Sequence, residues 1–447
     1  REKVPFPLAL GYACNHSCEE ACRRGRLNAP MSVKALKRFV AERDSGRWRS
    51  KLVITPPTGK KAAIVGSGPA GLTAAWYLKL AGHAVTVFEA LSEPGGMMRS
   101  AIPAYRLPRN ILKKEIGEIE AIGVKIETGS RIDSLDELFK RGFDAVFVAT
   151  GAPAGMKMGV EGEADPRVLD GINFLQAVSF GHKTDIKGDV LVVGGGNVAM
   201  DVARTAIRTG AKKVTVLYRR TRGEMPALSE EVEEALKEGV KIRFLTAPEK
   251  ISPVGNKLGV ECVLMELGEP DASGRRRPVP VKGSNVVIKA DRIITAIGQV
   301  PAVPAGFGLA TNKKCCIQAD LSTMASPRQG VFAGGDAVSG PASIIEAIQG
   351  GRKAASAMDK YLGGTGVIDR EFIAPEEPPV CLEREEKFCC RGRAAIPELP
   401  AAKRRNKFDL VEHAYTEKTA VEEAGRCLRC ELRLKISKAP LPPGPGK

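Results

Sequence analysis

Short apolar runs that end at glycine alternate with longer segments of mixed polarity over most of this chain. Two of the runs, 61–66 and 190–193, each precede a helical segment and a second apolar run, which is the pattern of a strand–helix–strand unit. The run-then-glycine pattern recurs at 144–151, 291–298 and 330–336. This alternation predicts an α/β fold with parallel sheets.

The first strand leads into a glycine-rich turn and a helix. Gly66 permits the tight turn, Gly68 lets a pyrophosphate approach the backbone, and Gly71 lets the helix pack close to the strand. The free N–H groups and the dipole of a helix N-terminus favour bound phosphate. Glu89, 21 residues after Gly68, can accept hydrogen bonds from ribose hydroxyls. The dinucleotide site predicted here comprises Gly66, Gly68, Pro69, Ala70, Gly71 and Glu89.

The second glycine-rich turn reads Gly-x-Gly-x-x-Ala, and the strand after it ends in arginines where the first has an acid. A carboxylate there would repel a 2′-phosphate, whereas Arg219 and Arg220 can pair with one. The pattern favours NADPH over NADH, but arginines that face solvent or a partner would look the same, so both nucleotides stay open. The predicted residues are Gly194, Gly195, Gly196, Asn197, Val198, Arg219 and Arg220.

Two such sites in one chain indicate two cofactors that face each other, with hydride passing between them. We expect an outer FAD-type domain, 58–160 and 290–362, split by an inserted NAD(P)H domain, 161–289. A small helical domain with cysteines, 1–50, precedes them. The remaining part, 363–447, is rich in Pro, Arg and Glu and is expected to be an extended tail ending in a helix with a Cys-x-x-Cys pair.

Length and charge exclude several classes of protein. The 447 residues suffice for about three domains. The net charge of +16 suits phosphate-bearing cofactors and an acidic partner, or serves solubility alone. No basic run is interleaved with aromatics, so we expect no nucleic-acid binding. No stretch approaches the roughly 20 apolar residues of a membrane helix, so we expect no membrane span. The odd number of cysteines in a large chain fits a reducing, cytoplasmic location.

Cysteine positions suggest a metal centre. The eleven cysteines are an odd number in a large chain, which argues against a secreted disulfide framework. Cys14, Cys18 and Cys22 recur every four residues, which would place three thiols on one face of a helix or turn. Cys427 and Cys430 have the commonest cluster spacing. We favour a [4Fe-4S] cluster over zinc or free thiols; its fourth ligand could come from upstream, from the C-terminal pair or from another chain.

A redox disulfide beside the flavin is the alternative route for electrons. It needs a paired Cys-x-x-Cys inside a nucleotide domain, and the sequence has none there. Cys262 stands alone, and Cys315 and Cys316 are adjacent. We interpret these three as ordinary buried thiols.

Motifs along nearly the whole chain carry a resemblance to one family. The chain resembles the small (beta) subunit of bacterial glutamate synthase, and is similar to the flavin subunits of NADPH:ferredoxin oxidoreductases and to the front part of dihydropyrimidine dehydrogenase. The stretches that carry it are Cys14-x3-Cys18-Glu19-x2-Cys22, Leu36-Lys37-Arg38-Phe39, Gly66–Gly71, Pro94-Gly95-Gly96, the run from Ile102 to Pro108, Gly194–Asp201, Tyr218-Arg219-Arg220, Met225-Pro226-Ala227 and Gly334-Gly335-Asp336.

The resemblance implies FAD on the first turn, NADPH on the second and iron–sulfur clusters near the amino end. Arg106 would lie near the flavin, and Asp336 would hold its ribityl chain. The remaining cofactor-site residues are Gly95, Gly96, Arg106, Thr150, Gly151, Gly298, Gly335 and Asp336. The family usually opens with a cysteine run that is missing before Cys14, whereas Cys427 and Cys430 look like the opening of that run. At most one four-cysteine cluster is therefore expected.

These features predict a flavoprotein oxidoreductase subunit that passes electrons from NADPH through FAD and iron–sulfur chemistry to a partner. The partner would be an electron-accepting protein such as a ferredoxin or a larger catalytic subunit, within a hetero-oligomer. No catalytic acid or base is assigned, because hydride transfer needs none. Two alternatives stay open: a disulfide reductase that uses Cys427 and Cys430, and a scaffold in which FAD is structural.

Overall fold

The computed structural model describes residues 1–372 and 388–430. Within these residues the helices fall mostly between strands or before the first sheet. They are α1 (Pro7–Ala13), α2 (Ser17–Glu20), α3 (Val33–Glu42), α4 (Pro69–Leu80), α5 (Met97–Ser100), α6 (Arg109–Ala121), α7 (Leu135–Lys140), α8 (Gly171–Ser179), α9 (Asn197–Arg208), α10 (Ser229–Lys237), α11 (Asp336–Ser339), α12 (Ile344–Tyr361) and α13 (Glu417–Ala424).

The strands form two parallel sheets, one antiparallel sheet and a short two-stranded link. They are β1 (Lys61–Val65), β2 (Ala84–Phe88), β3 (Lys125–Glu127), β4 (Ala145–Val148), β5 (Ala154–Gly155), β6 (Val168–Asp170), β7 (Gly188–Val193), β8 (Ala211–Leu217), β9 (Lys241–Arg243), β10 (Thr246–Val254), β11 (Lys257–Pro270), β12 (Arg276–Pro280), β13 (Val286–Ala290), β14 (Arg292–Thr295), β15 (Gln299–Val300) and β16 (Val331–Ala333).

The outer domain contains a five-stranded parallel sheet in the order β16-β4-β1-β2-β3. Its central strands are apolar on both faces because helices cover both sides: the side chains of β1 from Ala62 to Val65 and all of β4 are buried. Strand β16 comes from far along the chain and pairs with β4. The outer domain is therefore interrupted by the inserted one, and the predicted α/β class with two dinucleotide-binding domains is confirmed.

The second parallel sheet has the order β6-β14-β7-β8-β9. Strand β14 lies between β6 and β7, so it belongs to the inserted domain, and the predicted boundary at 289/290 is too early. In both domains the last strand of the parallel sheet is followed by a glycine. The sequence pattern alone therefore did not show to which sheet β14 belongs. Strands β10 to β13 of the inserted domain pair antiparallel, and β5 pairs with β15 between the two domains.

Two helices of the outer domain cross at glycines. A Cβ on Gly351 of α12 would lie 2.2 Å from the carbonyl oxygen of Ala70 in α4, and a Cβ on Gly350 would lie 2.9 Å from the nitrogen of Gly335. No side chain fits either gap. This contact fixes the first turn of α4 against the segment that follows β16.

The amino-terminal helices pack on the outer domain. Phe6 and Leu10 share one apolar core with Trp76 of α4. Glu115 of α6, fully buried, accepts the backbone N–H groups of Leu8 and Ala9 at 2.9 and 2.7 Å. It thereby caps the first turn of α1, which has no side-chain cap of its own.

The tail lies across the other domains, and its last helix is shorter than predicted. Helix α13 ends at Ala424, so the expectation that one helix carries Cys427 is wrong. The chain turns after Gly425, and Arg426 folds back to donate to the backbone oxygen of Ala29 at 2.7 Å while it pairs with Glu423 at the same distance. Of the predicted tail, residues 373–387 and 431–447 lie outside the described part.

Arg404, a buried cation of the tail, joins the tail to the inserted domain. The Arg404 guanidinium pairs with Glu234, lies 3.3 Å from Glu238 and 3.1 Å from Glu398, and donates to the backbone oxygen of Leu399 at 2.6 Å. Its side chain is 2% exposed. Without this charge, the three acids would keep other cations, Arg204, Arg208 and Lys237, but would lose the one that binds them together.

We expect Arg404→Met to lower the free energy of unfolding by about 1.5–3 kcal/mol, because its charged hydrogen bonds to Glu234 and Glu398 are lost while these acids keep another cation, Lys237. Urea denaturation followed by tryptophan fluorescence measures the change. Arg131→Met is the matched control, since Arg131 and its partner Asp133 are both 69% exposed and should contribute little. Equal unfolding midpoints for the two variants would contradict this role of Arg404.

Candidate functional site

The first glycine-rich turn is closed to side chains. Gly66 has φ of +105°, and a Cβ there would lie 2.4 Å from the carbonyl oxygen of Ala149. A Cβ on Gly71 would lie 2.0 Å from the oxygen of Gly66. Only glycine fits both positions. The turn therefore keeps a bare backbone at the N-terminus of α4, as the sequence predicted.

A second pair of glycines lies over this turn. Gly96 has φ of +53°, and a Cβ on it would lie 2.6 Å from the Cα of Gly68. Gly95 donates its N–H to the hydroxyl of Ser67 at 3.0 Å. Helix α4 begins at Pro69 without a side-chain cap, so its first N–H groups have no side-chain acceptor. A phosphate is the kind of group that such a helix start binds.

Glu89 is held in place from the same turn. The carboxylate follows β2, is buried, and accepts the N–H of Ser67 at 3.0 Å and the N–H of Leu91 at 2.8 Å. The hydroxyl of Ser67 also donates to it. Ser67 was missed by sequence reasoning, and its only signal is its position between two glycines. Glu89 thus has a fixed orientation from which it can accept ribose hydroxyls.

Polar groups gather at the carboxyl ends of the neighbouring strands. Thr150 follows β4, and its Oγ1 is buried without a hydrogen-bond partner among the described residues. Asp336 follows β16 and begins α11, and burial raises the pKa of its carboxyl to about 6. Gly335 before it has φ of +64°. Ligands of open parallel sheets bind at this edge, so the groups present fit a dinucleotide with a polar ribityl chain.

Arg106 lies between the two domains. Its Nη1 is 2.6 Å from Asp201 on α9, and its Nε is 2.9 Å from Glu231 on α10. The family resemblance placed Arg106 near the flavin. In the structure, its guanidinium is paired with two carboxylates of the inserted domain. Asp201 and Glu231 were not predicted; Asp201 stands among apolar residues, whereas Glu231 lies in a run of acids that gives no such signal.

The second glycine-rich turn is shaped by one aromatic ring. A Cβ on Gly195 would lie 2.4 Å from the ring of Tyr218, and a Cβ on Gly194, whose φ is +144°, would lie 2.1 Å from the oxygen of Ala296. Asn197 accepts the N–H of Leu228 at 2.9 Å. Helix α9 begins after Gly196 without a side-chain cap. Tyr218 was not predicted as part of this site; an aromatic residue just before an arginine pair is its only signal.

The two predicted phosphate-binding arginines have different roles. Arg220 is buried and donates to Asp271 at 2.8 Å and to the backbone oxygen of Arg276 at 2.7 Å. Arg219 is exposed, and no hydrogen bond or ion pair involves it within the described residues. Arg220 therefore anchors the β11–β12 hairpin, and of the two guanidiniums only that of Arg219 has no partner among the described residues.

The remaining predicted residues lie where the domains meet. Gly298 has φ of +142°, and a Cβ there would lie 2.8 Å from the sulfur of Met156. Gly151 has φ of +69°. The amide of Gln299 donates to the backbone oxygen of Ala152 at 3.2 Å. Val198 packs partly buried against the core of the inserted domain.

The cysteines of the described residues do not assemble into a metal site. Cys14 lies at the end of α1 and Cys18 within α2. His16 between them has φ of +42°, so the backbone leaves the helix and the four-residue spacing does not share one helical face. Burial and the nearby Cys14 raise the pKa of the Cys18 thiol. Within residues 1–372 and 388–430, no three His, Cys, Asp or Glu side chains come close enough to hold a metal.

Helices of the described residues are too short or too polar to cross a bilayer. This finding does not involve the nucleotide sites, whose geometry is set by strands and glycines.

Two glycine turns in two parallel-sheet domains define a two-dinucleotide oxidoreductase. A family model for pyridine nucleotide-disulphide oxidoreductases matches residues 60–351, and the chain belongs to that family. The match contains both parallel sheets and both glycine turns. The predicted NAD(P)H-dependent flavoprotein oxidoreductase is thereby confirmed as a class.

Curated relatives extend the similarity beyond the nucleotide domains. The chain is 41% identical over 466 aligned residues to "NADP(+)-dependent formate dehydrogenase subunit beta" of Moorella thermoacetica, with 96% of this chain and 66% of that protein covered. It is 33% identical to "Glutamate synthase [NADPH] small chain" of Escherichia coli, with 80% and 81% covered. The resemblance to glutamate synthase small subunits is confirmed. The chain spans about two thirds of the length of the formate dehydrogenase subunit.

A solved structure shows the same fold. "Mycobacterium tuberculosis FprA in complex with NADPH" aligns with a TM-score of 0.60 and 20% identity, over 69% of this chain and 85% of that one. At this identity the likeness concerns the fold alone.

We expect Gly66→Ala to abolish flavin retention, because its Cβ would meet the oxygen of Ala149 and the backbone would be strained. The measurement is the ratio of flavin to protein after purification. Gly59→Ala is the matched control: Gly59 also has positive φ, +76°, but nothing lies within 4 Å of its Cβ position. Equal flavin content in both variants would contradict the assignment of this turn.

Proposed function

We propose that this chain accepts hydride from NADPH onto a bound FAD and delivers the electrons to a partner protein or subunit. The observation that carries the proposal is the contrast between the two turns. In the first, Glu89 is fixed by Ser67 as an acceptor for ribose. In the second, the exposed Arg219 offers a cation where an acid would stand for NADH.

The role of the protein in this reaction is placement. Bound FAD would supply the hydride acceptor, and that chemistry is its own. The residues of the chain orient it: the turn at Gly66 fits a pyrophosphate, and Asp336 and Thr150 present polar groups at the same sheet edge. Arg106 ties that domain to Asp201 of the other. We assign no side chain as acid or base.

The route out of the flavin is proposed from the cysteines. We assign Cys14, Cys18, Cys22, Cys427 and Cys430 as candidate ligands of a [4Fe-4S] cluster because of their spacing. The described residues do not fit a complete cluster, so further ligands would come from elsewhere in the protein or from a partner. The acceptor is proposed as an acidic protein such as a ferredoxin or as a larger subunit of a hetero-oligomer, in the cytoplasm.

A disulfide reductase is the competing proposal, favoured by the family's description and by the exposure of Cys427 and Cys430. The cysteines inside 60–351 do not support it. Cys262 is fully buried, and burial raises the pKa of its thiol to about 11. Cys316 is buried next to the exposed Cys315. A thiolate near a flavin would need the opposite environment.

We expect Arg219→Ala to raise the NADPH concentration that half-reduces the flavin by about tenfold or more, because a charged hydrogen bond to the 2′-phosphate is lost. Anaerobic titrations with NADPH and with NADH measure the change, and the NADH curve should stay the same. Arg222→Ala is the control, since Arg222 already pairs with Glu233. A loss that is equal for both nucleotides would contradict the role of Arg219.

Cys18→Ser should lower the iron content of anaerobically purified protein while the flavin content stays the same. Iron, sulfide and flavin are quantified on one sample, and Cys315→Ser is the control because Cys315 lies in the outer domain. An iron-free wild type that still binds flavin would contradict the cluster. If its thiol content also rises with NADPH, the disulfide reductase is correct instead.

A further inference from the structure

A cavity of about 140 Å³ lies at the junction of three parts of the molecule. Pro103 and Ala104 line it from the segment before α6 of the outer domain. Leu175 and Val178 come from α8 of the inserted domain, and Phe408 comes from the tail. No residue of either glycine turn contributes. The wall is mostly apolar, and no residue assigned above to a nucleotide site lines it.

Two polar side chains interrupt this apolar wall. Arg109, at the start of α6, donates to the backbone oxygen of Met98 at 3.1 Å and to the hydroxyl of Ser179 at 2.8 Å. Both acceptors are neutral. Thr205 of α9 is 1% exposed, and its Oγ1 has no hydrogen-bond partner among the described residues. Buried polar atoms of this kind are normally paired.

The neighbourhood of the cavity has more positive than negative charge. Arg99 also donates to the hydroxyl of Ser179, at 2.7 Å, and to both carboxylate oxygens of Glu93, each at 2.7 Å. Within the described residues, no carboxylate forms an ion pair with Arg109. Burial, with repulsion from Arg99, lowers the pKa of the Arg109 guanidinium to about 10. An anion beside Arg109 would relieve this imbalance.

We propose that this cavity binds a small organic monocarboxylate with an apolar body about the size of a benzene ring. The carboxylate would pair with Arg109 and accept from Thr205, and the body would fill the space between Leu175, Val178 and Phe408. An engineered cavity of about 150 Å³ holds benzene, so the volume suits one ring. A nucleotide is too large for it.

Such a ligand would touch the outer domain, the inserted domain and the tail at once. Its binding would therefore favour the domain arrangement seen here over any other arrangement. The size of this effect is set by the difference between the ligand's affinities for the two arrangements. This consequence does not depend on which nucleotide is the electron donor or on where the electrons go.

Isothermal titration calorimetry of the flavin-loaded full chain with benzoate tests the proposal, with benzamide as the neutral isostere. We expect saturable binding of benzoate, at least about tenfold tighter than that of benzamide, because the charged hydrogen bond accounts for the difference. Saturating NADP⁺ should leave benzoate binding in place, since the two sites are separate. Displacement by NADP⁺, equal affinity for the two probes, or no saturable binding would overturn the proposal.

Arg109→Met should weaken benzoate binding by about tenfold or more, and Thr205→Val should weaken it less. Arg131→Met, which removes the same charge from an exposed position, should leave it unchanged and so controls for net charge. Arg109→Lys, which retains the cation, should preserve part of the affinity if Arg109→Met does not fold. Benzoate affinity that is the same in the Arg109 variants as in wild type would refute the site.

Discussion

An ion-pair cluster centred on Arg106 joins the two nucleotide domains: its guanidinium reaches from the outer domain to Asp201 and Glu231 of the inserted one. It acts beside the contacts of Arg99 and Arg109 with Ser179. Charges buried this deeply gain little net stability, since desolvation offsets their attraction. Their geometry is specific, however, because a shift of either domain would leave a charge unpaired. Arg106 therefore helps to fix the orientation of the inserted domain relative to the outer one.

The same network continues into the tail. Arg204 pairs with Glu231 and Glu238, and its guanidinium lies 4.8 Å from the ring centre of Tyr105. Arg404 of the tail also lies against Glu238, and it pairs with Glu234 of the same helix region. These arginines are balanced by the acids they pair with, so they join domains without contributing to the net charge of +16.

The sequence predicted the parts whose cause is local and failed where the cause is a distant contact. The conformations of Gly66 and Gly194 are determined by the strand end that lies a few residues away, so their turns were placed correctly from the sequence. Three features depend on residues far away in the chain: the sheet to which β14 belongs, the partner of Arg220 and the partner of Arg106. No spacing of residues in the sequence indicates them. The cysteine spacing wrongly predicted thiols on one helical face, because His16 interrupts the helix that this prediction assumed.

A double-mutant cycle between Arg106→Gln and Asp201→Asn, read as the rate of flavin reduction at saturating NADPH, tests the central claim most directly. If the pair orients the domains, each single variant slows reduction, and the double variant is no slower than the slower single one. If Arg106 instead serves the flavin alone, Asp201→Asn leaves the rate unchanged. Independent, additive losses would likewise contradict an account in which this pair positions the two sites.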